Sequence, residues 1–192
     1  MATPRFMLAG QSSGCGKTTV TCAVLQALVN RGLQVGAFKC GPDYIDPMFH
    51  SRVIGAKARN LDLHFFSENT LRCLLAQNAA DRDVSVIEGV MGYYDGAGLT
   101  SEKASSYEVA QVSRTPVVLV VNARGAALSL LPVIQGFLHF RASSGIRGVI
   151  LNQCTAMTYG ALKPCIEAQC GIRCYGFLPR IAEAEVGSRH LG

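Results

Sequence analysis

Gly10-Gln11-Ser12-Ser13-Gly14-Cys15-Gly16-Lys17-Thr18-Thr19 follows a short apolar run, residues 6–9. It leads into a segment whose apolar residues Val20, Val24, Leu25, Leu28 and Val29 repeat at helical spacing. A buried strand, a glycine-rich turn and a helix in that order make a phosphate-binding loop. The glycines let successive backbone N–H groups turn inward on an anion, and the helix adds its positive N-terminal end. Lys17 can reach terminal phosphates, and Thr18 can offer its hydroxyl to Mg²⁺. The pattern G-x-x-x-x-G-K-[ST] is displaced here: its first glycine belongs at Gln11 but stands one residue earlier, at Gly10, with an additional glycine at Gly14. The surrounding strand and helix decide the reading in spite of that shift. The expected nucleotide contacts are Gly10, Ser13, Gly14, Cys15, Gly16, Lys17, Thr18 and Thr19.

Moving outward, 192 residues suit one α/β domain, and 49% hydrophobic against 16% charged residues argues for a well-covered interior and against disorder. The formal charge of +5 suits an anionic small molecule. The Lys and Arg residues are scattered without interleaved aromatics, so no nucleic-acid partner is expected. Eight cysteines occur without a C-x-x-C pair, and the chain enters its first apolar run directly from Pro4-Arg5. The expectation is free, mostly buried thiols in a reducing, cytoplasmic compartment. Residues 116–121, the longest apolar run, fall far short of the roughly 20 residues of a membrane span, so no membrane partner is expected.

Along the chain, the pattern predicts strands over residues 6–9, 34–38, 83–87, 116–121, 148–151 and 173–178. Helices are predicted over 17–31, 67–78, 105–113, 128–140 and 159–169, with Ser67 capping the second of these and a short helix and connection over 48–60. Strands alternating with helices of 10 to 15 residues imply a doubly wound, mostly parallel sheet of the P-loop NTPase type. Such sheets place their chemistry in the loops after the strands. Two of these loops carry carboxylates: Lys39-Cys40-Gly41-Pro42-Asp43-Tyr44-Ile45-Asp46-Pro47, and Glu88-Gly89-Val90-Met91-Gly92-Tyr93-Tyr94-Asp95-Gly96. Glu88, directly after a buried strand, is placed like the acidic element that holds Mg²⁺ in such proteins. Thr18, Asp46 and Glu88 are the expected Mg²⁺ ligands, since hard oxygen donors suit that ion. Lys39, ending the second strand, is the expected second phosphate lysine. Asn152, at a strand end, and residues 178–180 are candidates for the base of the nucleotide.

Taken together, the loop at Gly10 to Thr18, the Phe38-Lys39-x-Gly41-Pro42-Asp43-Tyr44-Ile45-Asp46-Pro47 segment and the Glu88-Gly89-Val90-Met91-Gly92-x-Tyr94-Asp95-Gly96 segment resemble the cobyrinic acid a,c-diamide synthase family. The resemblance covers the whole chain, to Ser188-Arg189-His190-Leu191-Gly192, and corresponds to the N-terminal, ATP-using half of those enzymes. It implies ATP and Mg²⁺ as cofactors and a cobyrinic acid-type tetrapyrrole as substrate. It also implies phosphorylation of the a and c acetate carboxylates, and ammonia supplied by a glutaminase domain further along the same full-length chain. On that reading residues 1–192 are the amidoligase domain, ending short of the glutaminase, and a homodimer is an open partner. Catalytic roles fall to Lys17, Lys39, Asp43 and Asp95, with Asp43, Tyr44 and Asp95 facing the acceptor or the ammonia step.

A carboxylate resists ammonia because its oxygen is a poor leaving group, so activation as a mixed phosphate anhydride fits these residues. Phosphoryl transfer needs positioning and charge neutralisation more than covalent help, which two lysines and Mg²⁺ supply. Two rivals stand beside this. Dethiobiotin synthetase shares the fold, the loop type and the acyl-phosphate-like chemistry, and against it stands the Gly41 to Pro47 segment, which resembles the amidase-coupled family. A regulatory P-loop ATPase of the partitioning kind carries a signature lysine where this chain has Ser12. A GTPase would need an Asn-Lys-x-Asp base motif, which Asn152-Gln153-Cys154 does not supply.

Overall fold

The computed structural model describes residues 3–181. In chain order the elements are β1 (Arg5–Gly10), α1 (Lys17–Asn30), β2 (Val35–Cys40), α2 (Ile45–Arg52), β3 (Lys57–Leu61), α3 (Glu68–Ala79) and β4 (Val84–Glu88). They continue with α4 (Ser106–Ser113), β5 (Val117–Asn122), α5 (Leu130–His139), β6 (Ile146–Asn152), α6 (Ala156–Cys170) and β7 (Arg173–Leu178). The strands form one sheet in the order β3-β2-β4-β1-β5-β6-β7. Every pairing in it is parallel.

The inner strands are apolar because both sheet faces are covered. All six residues of β2 are buried. In β1 the side chains divide by alternation: Met7 and Ala9 join the larger core beneath α3, α4, α5 and α6, while Leu8 joins the smaller one with Val20 and Leu25 of α1. Ser67 caps α3 as expected, its hydroxyl accepting the Thr70 N–H, and Ser105 and Thr155 cap α4 and α6 in the same way.

The segment read as a short helix and connection over 48–60 needs correction. Helix α2 begins three residues earlier, and the segment ends in a seventh strand, β3. Pro47 stands in the first turn of α2, where a missing N–H costs no helical bond. β3 is an edge strand with Lys57 and Arg59 exposed, so its pattern is that of a polar connection and not of a buried strand.

Because β1, β2 and β4 are neighbours, their C-terminal ends lie side by side. Lys39 and Glu88 occupy paired positions of β2 and β4, and Glu88 also pairs with Leu8 of β1. This register brings three loops far apart in sequence to one edge of the sheet. Among the described residues all eight cysteines are free, half of them buried, and no helix is long and apolar enough to cross a membrane.

Candidate functional site

The turn between β1 and α1 is built on positive backbone angles, φ 72° at Gly14 and 92° at Gly16, the second forming the helix N-cap. At Gly16 a Cβ would collide with the Asn152 side chain, and at Gly10 a Cβ would lie 2.8 Å from Lys17 Cδ. Glycine is therefore required at Gly16 by both angle and space, and Gly10 leaves room for the lysine. Lys17 folds back over the loop and donates to the Ser12 carbonyl at 3.2 Å. Burial pulls its pKa below the ordinary lysine value; Cys15 opposes that, the Lys39 ammonium adds to it, and Glu88 and Asp95 pull the other way. Cys15 is buried, and its carbonyl accepts a 2.9 Å bond from Asn152 Nδ2. Asn152 thus clasps the phosphate loop from below, and its amide nitrogen is directed at the loop and not outward at a base. Residues 178–180 stand beside it, Leu178 pairing with Asn152 and accepting the Cys154 N–H.

Around Glu88, which is fully buried, the structure assembles a charged cluster. Its Oε1 accepts from Thr18 Oγ1 at 2.7 Å and from Lys39 Nζ at 2.8 Å. Lys39 Nζ also meets Asp46 Oδ2 at 2.9 Å, so one ammonium bridges two carboxylates at the mouth of the loop. Burial alone would depress the Lys39 pKa; Glu88 and then Asp46 outweigh it and leave it raised. Asp46 reaches this position from the first turn of α2, not from a loop. Helix α2 is started by Asp43, whose Oδ1 accepts the N–H groups of Ile45 at 2.8 Å and Asp46 at 3.4 Å. Asp43 is half-buried and Tyr44 exposed.

Thr18, Lys39 and Asp46 line one cavity of about 580 Å³ with Ser13, Gly14, Gly16, Lys17 and Thr19, and Asp43 and Tyr44 belong to its wall. Asp95 does not line it. Its exposed carboxylate closes a turn by accepting the Gly92 N–H at 2.8 Å and borders a separate cavity of about 420 Å³, together with Gln11, Tyr94, Phe137 and Phe140. The charge of Asp95 nonetheless acts on Lys17.

Two residues outside the sequence expectations complete the site. His50, on α2, is 1% exposed, and its Nε2 lies 3.5 Å from Glu88 Oε2. Residues 46 and 50 are one helical turn apart, a spacing that becomes visible only once α2 is known to begin at Ile45. Asn60, one residue before the end of β3, donates its single amide nitrogen to the carbonyls of Gly41 at 2.8 Å and Asp43 at 2.5 Å. It ties the Gly41–Asp43 turn to the sheet, and no motif marks it.

The arrangement can hold a polyphosphate: inward N–H groups, two ammonium groups and an all-oxygen set of Thr18, Asp46 and Glu88 lie together. Thr18, Asp46 and Glu88 offer oxygen donors only, the chemistry that suits a hard divalent cation; the second Glu88 oxygen, Oε2, faces His50 and is buried without a hydrogen-bond partner among the described residues.

The family model described as the CobQ/CobB/MinD/ParA nucleotide binding domain matches residues 6–191. The chain is 41% identical over its whole length to the cobyrinate a,c-diamide synthase of Thermoplasma volcanium and 39% identical over 97% of its length to that of Salmonella typhimurium. It is 43% identical over 84% of its length to the hydrogenobyrinate a,c-diamide synthase of Streptomyces coelicolor. It spans 42%, 41% and 33% of those three proteins, less than half of each. Among solved structures, FtsY of Thermotoga maritima superposes with a TM-score of 0.63 at 16% identity, covering 93% of this chain and 62% of that one. FtsY of Elizabethkingia anophelis in complex with GDP gives 0.64 at 16% identity, covering 91% and 56%. At such identity the likeness establishes the P-loop NTPase fold alone.

Proposed function

The chain belongs to the CobQ/CobB/MinD/ParA nucleotide-binding family, and from that premise we propose that it uses ATP and Mg²⁺ to activate the a and c acetate carboxylates of a cobyrinate-type tetrapyrrole for amidation. The observation that carries this reading is the Lys39 ammonium held between Asp46 and Glu88 beside Thr18 of the phosphate loop. A site that only binds nucleotide does not need a second buried lysine and two carboxylates there. Phosphoryl transfer between two anions does, and the kinship with cobyrinate a,c-diamide synthases supports a cobyrinate-type acceptor.

In this reading the loop N–H groups and Lys17 grip the phosphates. Thr18, Asp46 and Glu88 would hold Mg²⁺, which when bound would supply neutralisation of the phosphate charge. Lys39 exchanges a carboxylate partner for the phosphoryl oxygens, stabilising charge that grows as the acceptor carboxylate oxygen bonds to the γ-phosphorus and the bond to ADP breaks. Asp43 and Tyr44, in the wall of the same cavity, orient the acceptor. Ammonia then bonds to the acyl carbon, the carbon–oxygen bond breaks, and phosphate leaves carrying the proton released from nitrogen; Asp95, in the neighbouring cavity, faces the acceptor or the ammonia step. Residues 1–192 serve as the amidoligase domain, and ammonia comes from glutamine hydrolysed by a glutaminase domain of the same full-length chain. The greater length of the relatives is compatible with such a domain.

The test is amidation driven by free ammonia: the chain is mixed with ATP, Mg²⁺ and cobyrinate, and ADP release and product mass are followed. A mass lower by about 1 Da for each amide formed, as an amino group replaces a hydroxyl, is expected together with ADP release. ATP bound tightly with no ADP and no mass change would reject the ligase reading.

A further inference from the structure

Every strong bond to Glu88 falls on one of its two oxygens. Thr18 and Lys39 both donate to Oε1. The other oxygen, Oε2, is buried, accepts no hydrogen bond among the described residues, and faces His50 Nε2 at 3.5 Å. Neither nitrogen of His50 has a hydrogen-bond partner among the described residues, although the side chain is 1% exposed. A buried imidazole with two unused nitrogens beside a buried carboxylate oxygen with no donor is costly on both sides, and one short movement joins Nε2 to Oε2 and relieves most of that cost. The scaffold keeps them together: the His50 carbonyl accepts the Ala56 N–H at 2.9 Å, which ties the end of α2 to the start of β3. Asp46, one turn earlier on the same helix, is held on Lys39. Helix α2 thus presents one carboxylate and one imidazole to the same cluster.

We propose that His50 is a positioning residue for the divalent cation: its Nε2–H donates to Glu88 Oε2 and fixes the carboxylate so that Oε1 stays on the Thr18 side. This rests on the reading that Glu88 and Thr18 hold Mg²⁺. A carboxylate held at one oxygen only can rotate about its last bond. One held at both presents a fixed direction to the metal, and such outer partners typically change metal affinity by about 10- to 100-fold.

The test measures ATP affinity of the chain with and without Mg²⁺ by calorimetry, which needs no acceptor. His50→Leu keeps the bulk and removes the donor, while His50→Gln keeps an N–H of similar reach. The gain in ATP affinity conferred by Mg²⁺ should fall about tenfold in His50→Leu and stay within about threefold of the parent in His50→Gln. ATP affinity without Mg²⁺ should be unchanged in both. An unchanged Mg²⁺ gain in His50→Leu, or equal losses with and without the metal, would overturn the proposal. If the parent itself shows no Mg²⁺ gain, the metal reading of Glu88 fails first. Should His50→Leu not fold, ¹⁵N-histidine NMR of the parent decides: a protonated Nε2 whose signal shifts in Glu88→Gln supports the bond, and an unprotonated Nε2 rejects it.

Discussion

The phosphate loop and the Glu88 cluster lie against each other but are made in opposite ways. The loop is one contiguous stretch whose working groups are backbone N–H donors, shaped by glycines with positive φ and clasped by Asn152. The cluster gathers single side chains from α1, β2, α2 and β4, and its working groups are charges removed from water. The first tolerates changes at positions that do not set its backbone. The second does not, because removing one partner strands a buried charge, a cost on the order of 3–5 kcal/mol.

The largest effect expected lies where the two regions meet. Lys17→Ala should reduce ATP binding below detection by calorimetry, since the loop keeps its N–H groups but loses the cation that reaches the terminal phosphates; unchanged affinity would reject the phosphate-loop reading. Within the cluster, Asp46→Asn and Glu88→Gln should each lower kcat by about 100-fold or more with a smaller change in ATP affinity, because the lost charge matters most as phosphoryl transfer proceeds. Near-normal kcat in folded protein, checked by its melting curve, would remove both from the metal site. Asp95→Asn should leave ATP affinity unchanged, raise KM for the tetrapyrrole or let a phosphorylated intermediate accumulate, and so separate its cavity from that of the nucleotide. Steady-state kinetics and rapid-quench product analysis read the two outcomes. The smallest effect is Ser13→Ala, expected within about threefold of the parent in ATP affinity; a larger loss would show that side chains carry the loop after all.

The same contrast explains what could be read from sequence. The loop and its strand–turn–helix frame are local, so the residues 10–19 were legible as a unit, as were the inner strands, whose burial on two faces leaves continuous apolar runs. Lys39, Asp46 and Glu88 were legible as loop residues with chemistry, but their bridging was not, because it depends on β2 pairing with β4 across 49 residues of chain. The edge strand β3 was hidden by its exposed Lys57 and Arg59, and with it Asn60. His50 was hidden because Gly41, Pro42 and Pro47 read as an extended loop, which concealed the helix that sets it one turn from Asp46.

Lys17 and Lys39 carry two positive charges and Asp46 and Glu88 two negative ones, all within a single buried group. Seen from beyond a Debye length of about 8–10 Å, the four cancel. The cluster therefore exerts little pull on a polyanion approaching from solution, and the formal +5 of the chain resides in residues outside it. Selection of a ligand is accordingly decided at contact range, where arriving phosphate oxygens must compete for Lys39 against two carboxylates already in place. On the proposed reading a weakly charged anion would have little with which to win that exchange, so the internal ion pair would act as a threshold favouring densely charged ligands over the common singly charged ones.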